Sequence, residues 1–269
     1  MSVLTPQLPG YARESIVRFL RAHLEGPPAR VAVVGLSGGI DSSLVARLSA
    51  EAVGPRRVVG VLLPDERYPP ALGEETRAFA RGLGIAVREV AIGPMVAAIA
   101  GAVPEAAERT TLGNVAARVR MTVLYTLARG LGGLVVGTGN KSELLLGYFT
   151  KFGDGGVDLL PVGDLYKTEV RTLAAEFGLP AAILERPPTA GFWEGQTDEG
   201  ELGLPYESID QVLRGLEELR SPEEIARLTG VARAAIDALA RRVAENRHKR
   251  RPVPIPKLGL RTVGLDWRD

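Results

Sequence analysis

Cysteine is absent from the sequence. Its absence excludes disulfides, thiolate-ligated zinc, iron–sulfur clusters and any cysteine nucleophile. Histidine is almost as scarce. His23 and His248 are the only two, too few for the multi-histidine zinc sites of metalloproteases. An excess of one charge is also missing. Lys and Arg number 33 against 32 Asp and Glu, which argues against a general binder of nucleic acids or membrane surfaces. No apolar run approaches the ~18 residues of a membrane span. The first residues lack the basic stretch and apolar core of a secretory signal. The expectation is a cytoplasmic protein with no nucleic-acid and no membrane partner. At 269 residues and 45% hydrophobic, the chain can bury a core without disulfides or a structural metal.

Short apolar runs alternate with amphipathic stretches. A β-branched run at 29–36 reads as a buried strand, and 57–63, 85–92 and 134–137 read as further strands. Helical periodicity lies between them at 41–53, 73–83, from 94 to about 100, and at 115–129. Strands separated by helical crossovers predict an α/β fold, a doubly wound parallel sheet with helices on both faces. Beyond residue 139 the sequence becomes Gly- and Asp-rich over 147–158. Helices are predicted at 167–177, 208–218, 222–228 and 231–246. The stretch 185–205 is long and structureless, the usual mark of a functional or mobile loop. We expect one domain over 1–269: an N-terminal helix within 1–28, an α/β core over 29–185, an active-site loop at 186–206, and a helical region and tail over 207–269.

The first strand runs into Gly35-Leu36-Ser37-Gly38-Gly39-Ile40-Asp41-Ser42-Ser43. A Gly-rich turn feeding a helix N-terminus presents backbone N–H groups to an anion. This one is neither a Walker A loop, since G-K-[ST] is missing, nor a G-x-G-x-x-G fingerprint. Asp41 would repel phosphate unless a bridging Mg²⁺ stands between them. Taken alone, it also suits a helix N-cap.

The S-G-G-I-D-S-S run resembles the pyrophosphate loop of the ATP pyrophosphatases, which cleave ATP to AMP and diphosphate. That superfamily, of adenine nucleotide alpha-hydrolase-like fold, includes synthetases for GMP, asparagine, argininosuccinate and NAD, and tRNA-thiolating enzymes. Segments 114–125 (NVAARVRMTVLY), 137–158 (GTGNKSELLLGYFTKFGDGGVD), 160–170 (LPVGDLYKTEV) and 188–202 (PTAGFWEGQTDEGEL) narrow the choice. Together with the loop, in this order, they resemble the NAD⁺ synthetase family over about 29–257.

The resemblance implies a C–N ligase that amidates deamido-NAD with ammonia, with ATP as co-substrate and Mg²⁺ as cofactor. It places the 35–42 loop, Thr138, Lys167 and Thr189 on ATP. It places Asp41 and Glu143 on Mg²⁺, with Asp154 as a further contributor. It assigns Arg118, Lys151, Asp158, His248 and Lys249 to deamido-NAD. Family enzymes are homodimers, and Arg118, Lys151 and the His248-Lys249 pair are expected to reach the site from the other subunit. Asp41, Lys167 and Asp158 are the expected catalytic residues.

Lysine usage agrees with this. Only five basic residues are Lys, and Lys141, Lys151 and Lys167 share one short span. A compact ammonium suits phosphate as a point charge. Without the resemblance, Arg118 and Arg120 read as solvated helix charges, and Glu143 as a favourable charge in a first helical turn.

One segment departs from the family. Some members carry Arg before the Leu-Pro of the second strand, where this chain has Leu62-Leu63-Pro64, and the 65–74 stretch is atypical. We expect no particular ATP contact from it. With no cysteine for glutaminase chemistry, free ammonia or ammonia from a separate partner is the expected nitrogen source. A different amidating or thiolating ATP pyrophosphatase, or a regulatory module that has lost catalysis, are the alternatives. Missing cysteine weighs against thiolation, and the presence of Asp41, Glu143 and Lys167 against loss of catalysis. The 185–205 loop, with Phe192, Trp193 and Gln196, is expected to act as a lid over the adenylate.

Overall fold

The computed structural model describes residues 2–26, 28–193 and 195–263. The last residues of the expected tail, 264–269, lie outside them. Helix α1 (Ala12–Leu24) comes first. An alternating run follows: β1 (Val31–Gly35), α2 (Ile40–Val53), β2 (Val58–Leu62), α3 (Pro70–Gly82), β3 (Ala86–Glu89), α4 (Gly93–Ala102), α5 (Arg109–Leu131) and β4 (Gly133–Val135). The strands form one parallel sheet in the order β3-β2-β1-β4. The chain therefore reverses its direction of travel across the sheet between β1 and β4. A crevice opens at the carboxyl ends of strands at such a switch point.

Alternation along each strand divides the core. Ala32, Val34, Val58 and Leu62 face α1, α2 and α7 (Lys167–Glu176). Val33, Val59, Val61 and Val135 face α4 and α5. Both faces of β1 and β2 are covered, which is why they read as continuous apolar runs, whereas the edge strand β3 is largely exposed. Helix α6 (Lys141–Leu146) leads from the sheet toward α7. Short α8 (Ala181–Leu184) and α9 (Asp198–Leu202) follow, then α10 (Tyr206–Glu217), α11 (Pro222–Thr229), α12 (Arg233–Glu245) and α13 (Arg247–Arg250). These last helices close a third apolar cluster around Ile209, Val212, Leu213, Ile225 and Ile236, which takes in Leu146 and Tyr166.

Several boundaries differ from the sequence reading for identifiable reasons. Helix α5 begins at Arg109, six residues early, because the Glu108 carboxylate accepts the Thr110 and Thr111 N–H groups at 2.7 and 2.5 Å. These bonds hold the Glu108 carboxyl down at about 2. Strand β4 ends at Val135, and Val136 makes an isolated parallel bridge to Leu159. Helices α8 and α9 were not expected; four or five residues carry too little periodicity to register.

Gly133 pairs with Val31 in the sheet. A Cβ there would sit 2.5 Å from the Val31 carbonyl oxygen, which is backbone and cannot turn away. Gly133→Ala should destabilise the fold by about 1–3 kcal/mol, read by urea unfolding. An unchanged midpoint would contradict this register.

Candidate active site

The turn after β1 is held in shape by its own side chains. Gly38 has φ +84°, and a Cβ on it would lie 2.5 Å from Leu72 Cδ1 and 2.7 Å from Thr76 Oγ1. Conformation and close packing thus both require glycine. Ser42 Oγ donates to the Gly39 carbonyl at 3.1 Å and accepts the Ser37 N–H at 3.3 Å; Ser43 Oγ donates to the same carbonyl at 2.9 Å. These hydroxyls brace the loop. Among the described residues no side chain caps the N-terminus of α2, so its first N–H groups are left for an external anion.

Asp41, in the first turn of α2, lies beside three residues distant in sequence. Lys167 Nζ donates to its Oδ2 at 2.5 Å, and Asn140 Nδ2 to its Oδ1 at 2.9 Å. Glu143 Oε1 is 3.7 Å from Lys167 Nζ. A reciprocal cap sets this geometry: the Glu143 N–H donates to Asn140 Oδ1 at 3.0 Å, and the Asn140 N–H to Glu143 Oε2 at 3.2 Å. Lys167 is 2% exposed. Burial alone would depress its ammonium, but the charges of Asp41 and Glu143 outweigh it and hold the pKa above the ordinary lysine value. Burial and the adjacent Asp41 push the Glu143 carboxyl upward.

Asp198, from α9, adds another buried carboxylate within the field of Lys167. Its Oδ2 accepts the Tyr206 hydroxyl at 3.2 Å, while its Oδ1 has no hydrogen-bond partner among the described residues. Asn140 and Asp198 were absent from the sequence reading. The N-x-x-E spacing of Asn140 and Glu143 was a legible capping signal, and nothing local marks Asp198.

A cavity of about 560 Å³ opens beside this centre. Gly35, Leu36 and Ser37 line one part of it, Thr138 joins them from the end of β4, and Asp154 and Lys249 line another. Asp154 is not gathered with Asp41 and Glu143. Its Oδ1 accepts the Thr150 N–H at 2.8 Å, and surrounding protein pushes its carboxyl upward. Lys249 reaches this chain's own cavity, with Nζ donating to the carbonyls of Gly147 and Phe149 at 2.6 and 3.0 Å. Burial and nearby Arg242 lower its pKa.

The other expected substrate residues lie elsewhere. Arg118 lines a separate, apolar groove of about 360 Å³; its Nε donates to the Lys151 carbonyl at 3.3 Å. Lys151 Nζ donates to the His248 carbonyl at 3.0 Å. Asp158 does not line the central cavity. Its Oδ2 accepts the Val135 N–H at 2.8 Å and its Oδ1 the Tyr125 hydroxyl at 3.1 Å. Burial, with the Asp158 charge, pushes that phenol up to about 12. The Asp158 carboxylate is thus bonded to the edge strand and to Tyr125. Thr189 is exposed and accepts the Gly191 N–H at 3.0 Å.

The 185–205 segment covers the cavity. Phe192, Trp193 and Gln196 line it. Trp193 stacks under the Arg109 guanidinium, 4.0 Å from ring centre. Gln196 Oε1 accepts the Phe192 N–H at 2.6 Å. The atypical 65–74 stretch acts as its seat. Arg67 donates to the Phe192 carbonyl, and Asp65 bridges Arg67 at 2.5 Å and Arg120 at 3.2 Å. Tyr68 also lines the cavity and donates to the Ser37 carbonyl at 3.3 Å.

A parallel sheet with its switch-point crevice, an uncapped helix N-terminus and a buried lysine–carboxylate centre define a nucleotide-binding fold of the ATP pyrophosphatase type. The sequence profile of the NAD synthase family matches residues 12–253. An NH₃-dependent NAD⁺ synthetase of Methanosarcina acetivorans is 45% identical over 92% of this chain and 98% of its own. Among solved structures, an NH₃-dependent NAD synthetase from Campylobacter jejuni superposes with a TM-score of 0.78 at 30% identity, over 91% of this chain and 97% of that one. An NMN synthetase from Francisella tularensis does so with a TM-score of 0.82 at 30% identity, over 94% and 100%. The chain belongs to the NAD synthase family.

Removing one partner of a buried pair leaves the others uncompensated. Lys167→Met should therefore cost about 3 kcal/mol of stability, and adding Asp41→Asn should recover most of it. Chemical denaturation of both variants checks this; additive losses would mean that the pair is not coupled.

Proposed function

We infer that this chain is an ammonia-dependent NAD⁺ synthetase. It is a ligase that amidates the nicotinate carboxylate of deamido-NAD and cleaves ATP to AMP and diphosphate. The Lys167–Asp41 pair beside the uncapped start of α2, in a chain of this family, carries the reading. A carboxylate does not react with ammonia directly, because oxide would have to leave. The substrate carboxylate oxygen attacks the α-phosphorus, and the bond from that phosphorus to the β-bridging oxygen breaks. Ammonia then attacks the acyl carbon, AMP leaves with the acyl C–O electron pair, and the added nitrogen gives up a proton. The α2 N–H groups and Lys167 take the charge that develops on diphosphate. Alignment and fixed charge supply the rate, with no covalent enzyme intermediate.

The donor set suits Mg²⁺. Asp41, Glu143 and Asp198 set three carboxyl groups against the one ammonium of Lys167, and among the described residues the buried Asp198 Oδ1 lacks a partner. Among the described residues no three carboxylate or histidine groups form a complete cage. Mg²⁺ commonly takes one or two carboxylates, with substrate phosphates and water completing its shell. Asp41 and Glu143 would hold it, and when bound it supplies charge neutralisation for the phosphates. Thr138 and the 35–42 loop would contact ATP. Asp154 and Lys249 face deamido-NAD in the cavity.

A second copy would complete the site. The groove at Arg118 is walled by Met95, Ile99, Val115 and Val119, and α4 and the residue after it expose Met95, Ile99 and Val103. A homodimer through this face would put Arg118, Lys151, His248 and the Tyr125–Asp158 pair against the partner's substrate. Residues 1–269 then work as one unit, in the cytoplasm, with the 186–206 loop closing over the adenylate to exclude water. No helix among the described residues is long and apolar enough to cross a membrane.

The protein with ATP, Mg²⁺, ammonium and deamido-NAD should give NAD and AMP in equal amounts, and glutamine should not replace ammonium. Amidation of nicotinic acid mononucleotide in preference would instead assign it the activity in the Francisella neighbour's name. ATP cleavage without amidation of either acid would overturn the reading. Ile99→Glu should yield a folded monomer with most activity lost, as read by sedimentation and turnover. A fully active monomer would remove the shared site.

A further inference from the structure

Asp210 makes none of the contacts of the charged centre, yet it holds the two helices that carry Glu143 and Lys167. It lies on α10 and is 0% exposed. Its Oδ1 accepts the Ser142 hydroxyl at 2.5 Å, and its Oδ2 accepts the Thr168 N–H at 2.9 Å. Ser142 Oγ in turn accepts the Lys167 N–H at 2.9 Å. Ser142 immediately precedes Glu143 in α6, while Lys167 and Thr168 open α7. One carboxylate thus satisfies the start of α7 and ties it to α6.

Capping alone does not account for this choice. A serine or asparagine would satisfy a helix N-terminus without burying a charge. Among the described residues, no cation lies within ion-pair distance of Asp210. What a carboxylate adds is two acceptor oxygens facing two different helices. Its position also complements the α7 dipole. Lys167 Nζ must reach Asp41 at 2.5 Å while staying 3.7 Å from Glu143, so a shift of α7 against α6 would move the ammonium directly.

We propose that Asp210 is a positioning residue for ATP cleavage: through Ser142 and the α7 N-terminus, it sets where Lys167 and Glu143 stand relative to each other. The helical region beyond the lid then does more than cover the core; it fixes the geometry of the phosphate site. This rests on Lys167 contacting phosphate in the proposed reaction.

The test compares Asp210→Asn and Ser142→Ala with Val212→Ala. Val212 is buried in the same helix and touches neither α6 Ser142 nor the start of α7 through a hydrogen bond. Adenylation without ammonia is followed in single turnover, and inorganic diphosphate is used as inhibitor. Displacing a charged group by ~1 Å can cost up to ~10²-fold. Asp210→Asn should slow adenylation about tenfold or more and weaken diphosphate inhibition, with the KM for deamido-NAD unchanged. Ser142→Ala should move the same two quantities. Val212→Ala should lower the melting temperature without moving either per active site.

If Asp210→Asn and Ser142→Ala only lower the melting temperature, as Val212→Ala does, Asp210 is a stability residue and the proposal fails. Should Asp210→Asn not fold, Ser142→Ala decides by the same readouts. Lys167→Ala serves as the reference. If it too leaves adenylation and diphosphate inhibition unchanged, the reading of Lys167 itself fails. If it alone acts, only the role of Asp210 fails.

Discussion

A buried ammonium between two carboxylates organises this molecule. Lys167 is withdrawn from water and stays charged because Asp41 and Glu143 are held against it. The arrangement is costly unless each charge has a partner and a fixed geometry. Much of the surrounding structure provides that geometry. Asn140 orients one carboxylate by a side-chain bond and the other by a helix cap. The parallel sheet brings α2 and the end of β4 to the same crevice, which is where such folds bind ligands. Carboxyl groups outnumber the one ammonium in this centre, so a divalent cation and a polyphosphate together suit it better than either alone.

The second constraint is closure. An adenylated carboxylate is lost to water unless water is kept out. The segment over the cavity is rich in glycine and polar residues, yet it places Phe192 and Trp193 along the cavity wall. It is held by polar contacts at its margins, from Arg67 on one side and Arg186 on the other, where Arg186 pairs with Glu75 at 2.5 Å. Few apolar groups bury under it, and segments built this way open at low free-energy cost. Arg67 and Glu75, on either side of the start of α3, thus each hold one margin.

The sequence carried the sheet and the phosphate loop because both depend on local pattern. β-Branched runs between amphipathic stretches specify parallel strands, and S-G-G-I-D-S-S specifies its turn. Asp41, Glu143 and Lys167 were legible from the same segments. Asn140 could have been read from its spacing to Glu143. Asp198 and Asp210 could not, because their importance arises from contacts with residues tens of positions away. Asp158 stands in a family-like segment, and its bonds to the Val135 N–H and Tyr125 arise from strand pairing, which local sequence does not encode. The start of α5 was misplaced for a similar reason: Glu108 caps the helix well before its apolar stripe begins.

The central claim is that this centre serves attack of a carboxylate on the α-phosphorus of ATP. Oxygen-18 placed in the nicotinate carboxylate of deamido-NAD follows that bond directly. After turnover with ammonium, mass spectrometry of AMP should find one carboxylate oxygen in its phosphate and none in diphosphate. Label in diphosphate or inorganic phosphate, or AMP free of label, would contradict the account.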